Sequence, residues 1–153
     1  MWFGGDQSGR DKHTFYQAKL PAEVGLDCNA EMGQKHRIIV GWATDRWKVH
    51  VLLVDPQVIY LHCTNFSSNK DFLISFIYGK NRESERCHLW SILESSSSLV
   101  NNPTTPWLVL GDFNAIRSST KKVGGRHVIS SWNDRFNSCI FNSGLVDLNT
   151  KGA

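Results

Sequence analysis

Cysteine is sparse, and the four that occur, Cys28, Cys63, Cys87 and Cys139, form no Cys-x-x-Cys pair. That spacing argues against a structural zinc site and a dense disulfide scaffold, and favours buried thiols in a reducing compartment. Long apolar runs are also missing. None approaches the roughly 20 residues that span a bilayer. The opening Met1-Trp-Phe-Gly-Gly-Asp6 has neither a basic n-region nor an apolar h-region, so it does not read as a secretory signal. The expectation is a soluble, intracellular protein without a membrane partner. Charge of one sign is scarce: 17 Lys and Arg against 14 Asp and Glu leave +3. A bias this mild does not by itself indicate nucleic acid. No internal repeat is found.

What is present is apolar and aromatic. Hydrophobic residues make up 41% of the chain, with six Trp and eight Phe, which argues for a globular rather than a disordered protein. The 153 residues suit one domain. A compact chain of that size buries roughly 70% of its unfolded surface.

Residues 1–36 are polar and without clear periodicity. Phe15, Tyr16, Leu20 and Val24 make a weak apolar patch that Pro21 interrupts. From Arg37 the character changes. Ile38–Trp42 is a short β-branched run. Trp47–Val54 begins with strict alternation, Trp47, Val49 and Val51 against Lys48 and His50. Asp55-Pro56 marks a turn, Val58–Thr64 a third strand, Ser67–Lys70 a second turn, and Phe72–Tyr78 a fourth strand. Such close spacing predicts an antiparallel meander.

The period then becomes helical over Arg82–Glu94, with Leu89, Trp90 and Leu93 on one side and Asn81 as N-cap. The serine run Ser95–Ser98 and the loop Asn101–Pro106 are expected to end that helix. Trp107–Leu110 is a continuous apolar run, the pattern of a buried central strand that stops at Gly111. A basic loop, Arg117–His127, follows. A second helix carries Trp132, Phe136, Cys139 and Ile140 at i, i+4, i+7 and i+8, with Ser131 and Asp134 as a capping box and Gly144 as its C′ residue. Leu145–Leu148 reads as another short strand. The fold class expected is an α/β (α+β) sandwich, mostly antiparallel sheets with flanking helices.

The segment with chemical content is Gly111-Asp-Phe-Asn114, directly after an apolar strand. Strand ends are where α/β proteins place reactive side chains. Alternation would put Asp112 and Asn114 on one side and Phe113 on the other. A carboxylate and an amide side by side can hold a water and a phosphoryl oxygen together, the carboxylate orienting the water and the amide donating to charge on the phosphate. By itself the segment also reads as a turn in which Asp and Asn satisfy the backbone. Tyr78, by itself, also reads as a strand-end aromatic with its hydroxyl in solvent.

Two motifs in order change the weighting. Pro106-Trp-Leu-Val-Leu-Gly-Asp-Phe-Asn-Ala-Ile116 resembles the Gly-Asp-Phe-Asn core of the endonuclease/exonuclease/phosphatase superfamily. Phe76-Ile-Tyr-Gly-Lys-Asn-Arg82 looks like its strand-end Tyr-x-x-Asn motif. The helix from Arg82, the Gly124-Gly125 loop and the Phe136–Leu148 stretch are similar to the endonuclease region of plant LINE-type (non-LTR) retrotransposons. The likeness runs from about Arg37 to Ala153. It implies an incomplete four-layer fold, with residues 37–153 as a partial domain and 1–36 left poorly specified.

The resemblance also implies roles. Asp112 would align the attacking water and Asn114 would contact the scissile phosphate. Tyr78 would lie near the phosphate or metal, with Asn81 helping to position it. Lys80, Arg82, Arg86, Arg117, Lys121, Lys122 and Arg126 flank the motifs and would form a phosphate-contacting rim on DNA if they converge; the alternative is ordinary solvated loops and a charged helix face.

Mg²⁺ is the cofactor the resemblance implies. The family's metal-binding Glu is not recognisable, since Glu23 and Glu31 lie in unsuitable contexts, and no Asp-His dipeptide of the family's last motif occurs. His13, His36, His50, His62, His88 and His127 lie outside the expected position and read as surface or strand residues. The expectation is therefore a domain lacking both ends, inactive or nearly so alone. A phosphatase or RNA phosphodiesterase of the same superfamily, and a non-catalytic remnant with weak nucleic-acid binding, are the alternatives.

Overall fold

The computed structural model describes residues 24–28, 37–99, 105–117 and 130–148. Among them the chain is α+β, with a two-stranded sheet, a mixed four-stranded sheet and two helices. It divides into two compact units. One holds residues up to Tyr78 and Pro103–Asp112; the other holds Gly79–Asn102 and Phe113 onward.

The first unit contains every described strand. β1 (Val24–Cys28) pairs antiparallel with β2 (Ile39–Ala43). β3 (Trp47–Asp55), β4 (Val58–Asn65) and β5 (Lys70–Tyr78) form the expected meander. Its turns are built as their residues suggest. Asp55 Oδ1 accepts from the Gln57 N–H at 2.8 Å. Asn65 Oδ1 accepts from the N–H and hydroxyl of Ser68, each at 3.0 Å, both Asx-type closures. β6 (Trp107–Asp112) adds to β5 in parallel. The sheet order is β3-β4-β5-β6.

The two sheets pack face to face. Ile38 and Val40, before and in β2, share a buried cluster with Ile59, Leu61 and Cys63 of β4. Trp47, Val49, Phe72, Ile74, Phe76 and Tyr78 close around it. The alternation that brings these side chains to one side is the strand period of two, and each fully buried aliphatic contributes roughly 1.5–3 kcal/mol.

Several expectations are corrected here. β2 does not extend the meander: it pairs with β1, and Ile38 and Val40 bury against β4 rather than lying beside β3. Alternation marks the buried face of a strand, not its neighbour. The alternation of β3 breaks at a bulge between Val51 and Leu53, leaving Val51 to Val54 exposed. β6 is not a buried central strand. It lies at the edge of the described sheet, with Leu108 and Leu110 exposed, and it runs through Gly111 to Asp112. β1 lies in the stretch read as poorly specified, because Gly25 and Asp27 dilute its apolar pattern.

The second unit contains α1 (Glu83–Leu99) and α2 (Ser130–Asn142). α1 does not end at the serine run. Ser95 donates to the Ser91 and Ile92 carbonyls at 2.8 and 3.0 Å, and Ser97 to that of Glu94 at 2.6 Å. These hydroxyls satisfy themselves on the preceding turn, so they need not break the helix. The cap is also shifted: the Arg82 carbonyl accepts the Glu85 and Arg86 N–H groups, and Asn81 lies before it.

Leu89, Trp90 and Leu93 are buried, as are Phe136, Cys139 and Ile140 of α2. Trp132 lies outside the residues whose side chains are described. Ser131 falls inside α2, not at its cap. Gly144 takes φ 65°. Its N–H bonds to the Phe141 carbonyl and that of Leu145 to the Ile140 carbonyl, each at 3.0 Å, a Schellman closure that needs the left-handed residue. Leu145–Leu148 forms no strand among the described residues. No described helix is long and apolar enough to cross a membrane.

Candidate active site

Of the residues singled out in the sequence, two come together in the first unit. Tyr78 is the last residue of β5 and Asp112 the last of β6. In the parallel ladder they are register partners. Thirty-four positions of sequence thus close to one inter-strand spacing, roughly 4.8 Å. Paired residues point to the same face, here the one occupied by Ile74 and Phe76. Both sit at the carboxyl ends of adjacent parallel strands, where open α/β sheets place their ligands.

Tyr78 is held on three sides. Its N–H donates to the Gln57 carbonyl at 2.9 Å, and Gln57 is itself buried. Its ring lies 5.2 Å from the guanidinium carbon of Arg37. Its hydroxyl oxygen accepts from Arg37 Nη1 at 3.3 Å. Gln57 and Arg37 carry no functional signal in the sequence. No motif marks either, and a strand-flanking arginine has no periodic signature. Gly111 sets the approach of the two strands. It takes φ 135°, and a Cβ there would overlap the Ile77 carbonyl, so only glycine allows β6 to run this close to β5.

Asn114 and Asn81 belong to the second unit. Asn114 has φ 48°, left-handed and outside the strand, so the alternation expected to set it beside Asp112 does not extend to it. Its amide donates to the Gly79 carbonyl at 2.5 Å. Phe113 anchors the segment: its ring centroid lies 6.4 Å from that of Trp90 and 5.3 Å from that of Phe136. The Asn81 carbonyl accepts from Arg86 Nη1 at 2.9 Å, and the Lys80 carbonyl from the same nitrogen at 2.7 Å.

Arg86 is therefore corrected. It is not part of an exposed rim but is buried, paired with Glu83 at 2.7 Å, and it organises the loop after Tyr78. Lys80 is exposed and 3.7 Å from Glu85. Arg82 is exposed. Arg117 donates to Asp147 at 2.8 Å and to Asn137 at 3.3 Å, partners exposed enough for a phosphate to compete with them. Lys121, Lys122 and Arg126 lie outside the described residues.

Among the described thiols, Cys63 and Cys139 behave as packing groups. Cys63 and Cys139 are buried and Cys87 half-buried, and burial raises the Cys63 pKa and pushes that of Cys139 up to about 11. His50 and His62 are strand residues stacked at 6.4 Å.

Of the ligands that Mg²⁺ would need, the Gly-Asp-Phe-Asn motif supplies one carboxylate, Asp112. No group of three or more His, Cys, Asp or Glu converges among the described residues. One carboxylate is a weak site for a cation that demands octahedral oxygen ligation, so the described residues do not fit the ion. No protein-family model matches the chain, and no curated protein matches it.

Proposed function

We propose that the chain carries the water- and phosphate-handling part of a phosphodiesterase site that acts on DNA, of the kind found in LINE-type endonucleases of the endonuclease/exonuclease/phosphatase superfamily. The observation that carries this reading is the register pairing of Tyr78 with Asp112 at the ends of parallel strands β5 and β6. Two motif residues far apart in sequence become neighbours at the carboxyl ends of parallel strands, which supports the reading.

Asp112 accepts a hydrogen bond from a water and orients it toward phosphorus. Tyr78 donates its hydroxyl hydrogen to a phosphoryl oxygen. Asn114 belongs to the second unit, where its amide donates to the Gly79 carbonyl. Each donor aimed at the charge that develops on the phosphate is worth roughly 3–4 kcal/mol of transition-state stabilisation. With a single motif carboxylate and no Asp-His motif in the sequence, turnover by this chain is expected to be slow.

The test is nicking of supercoiled plasmid in Mg²⁺, with duplex binding followed in parallel. Expected are salt-dependent DNA binding and at most slow nicking, lost in Asp112→Ala. Robust nicking that depends on Asp112 keeps the phosphodiesterase and overturns the low turnover. Neither binding nor Asp112-dependent nicking overturns the reading in favour of a non-catalytic remnant. Asp112-dependent hydrolysis of RNA or a phosphomonoester in preference to DNA changes the substrate.

A further inference from the structure

We propose that Arg37 is a phosphate-binding residue at the ends of β5 and β6, a role that no motif in the sequence assigns. The inference rests on the phosphodiester reading and names the cation that would grip the DNA backbone there. Arg37 engages Tyr78 twice, through the hydrogen bond to the hydroxyl oxygen and through the guanidinium placed over the ring.

Three consequences point to phosphate. A guanidinium is planar, permanently charged and geometrically matched to two phosphoryl oxygens. Tyr78 restrains a side chain that would otherwise sample many rotamers, which lowers the entropic cost of binding. The neighbouring Ile38 is buried in the inter-sheet core, so the backbone at Arg37 is anchored as well. Finally, a phenol oxygen that accepts from a cation is a better donor through its own hydrogen, so Arg37 and Tyr78 together present two donors to one phosphate. Asp112, the register partner of Tyr78, is an anion that repels phosphate, and a cation seated on Tyr78 offsets that repulsion.

The full chain is titrated against a fluorescent DNA duplex in EDTA at salt concentrations from about 50 to 200 mM, where phosphate contacts dominate the salt dependence. Arg37→Ala is expected to bind roughly five- to tenfold more weakly, with the slope of log affinity against log salt shallower by about one. Arg37→Lys restores the slope but not the full affinity, because it keeps the charge and loses the fork. Arg46→Ala, which removes an exposed arginine on the β2–β3 turn, leaves both unchanged.

If the wild-type chain binds with normal salt dependence and Arg37→Ala equals it, the role of Arg37 is overturned while the phosphodiester reading stands. Equal losses in Arg37→Ala and Arg46→Ala mean diffuse charge attraction, and also overturn it. A wild-type chain with no salt-dependent binding removes the phosphodiester reading and this inference with it. A thermal melt of each variant separates these outcomes from misfolding, and Arg37→Lys keeps the test decisive if Arg37→Ala unfolds.

Discussion

The side-chain amide of Asn114 donates to the carbonyl of Gly79 at 2.5 Å, joining the residue after the Tyr78 strand end to the last residue of the Gly-Asp-Phe-Asn segment. Gly79 is buried, so losing this donor takes a partner from a carbonyl shielded from water. Asn114→Ala should therefore cost roughly 1–3 kcal/mol, the penalty for a buried acceptor deprived of its partner. Thermal unfolding reads this as a melting temperature lower by roughly 2–4 °C per kcal/mol for a chain of this size. Asn114→Asp should be worse, because a carboxylate would then face the carbonyl. An unchanged melting temperature in Asn114→Ala would show that the bond has no net value.

Gly79 and Gly111 each leave no room for a Cβ, and Gly111 adds a positive φ. A Cβ at Gly79 would overlap the Phe113 carbonyl and approach Arg86 Cδ at 3.3 Å. A Cβ at Gly111 would overlap the Ile77 carbonyl, and the backbone there already takes φ 135°. Backbone atoms cannot swing aside as a side-chain tip can, so each Ala variant should lose roughly 1–3 kcal/mol, with Gly111→Ala the worse of the two. Urea titrations check this. The expected result is a lower midpoint with an unchanged slope.

Arg86 and Glu83 form an ion pair whose side chains are only 7% and 10% exposed. Arg86 also donates to the Lys80 and Asn81 carbonyls, so it shapes the loop that follows Tyr78. Removing one partner leaves an uncompensated buried charge, at a cost of roughly 3–5 kcal/mol. Arg86→Leu alone strands the Glu83 carboxylate as well as the two carbonyls, so also removing that charge should recover part of the loss. The double variant Glu83→Met/Arg86→Leu is therefore predicted to be more stable than Arg86→Leu alone. A double variant less stable than Arg86→Leu would contradict this.

The strands and helices that carry alternating or helical apolar spacing were legible in the sequence. The meander Trp47–Tyr78, the buried stripe Phe136, Cys139 and Ile140, and the left-handed Gly144 all follow from local pattern. What was not legible is relational. Trp107–Leu110 is apolar throughout, and nothing in four such residues distinguishes a central strand from an edge. Ser95–Ser98 read as a breaker because serines compete with the backbone, yet in α1 their hydroxyls turn back onto the preceding carbonyls. Arg86 counted as one more surface cation until its contact with Glu83 put it inside. The pairing of Tyr78 with Asp112 depends on two strands meeting in parallel register, which spacing alone does not encode. Arg37 is marked by no motif and comes into view only when Tyr78 is seen beneath it.

Cys139 carries a pH signature. Burial pushes its thiol up to about 11 from an ordinary value of 9.0, the Ser143 hydrogen bond opposing the rise and the Glu94 carboxylate adding to it. Below about pH 9 the thiol is protonated in both folded and unfolded chains and stability does not depend on it. Between about 9 and 11 the unfolded chain releases the proton while the folded chain keeps it, so the folded state binds more protons and stability falls as pH rises. Cys63 shifts in the same direction from burial, so Cys139→Ala should reduce the slope of stability against pH in this window without abolishing it. Its baseline stability should also be lower, because the substitution leaves a cavity. Alkylation near pH 8 offers an independent check. Half-buried Cys87 should be modified in the folded chain, whereas Cys139 and Cys63 should be protected until denaturant is added. Modification of Cys139 as fast as Cys87 in the native chain would rule out the buried environment from which the pH dependence is derived.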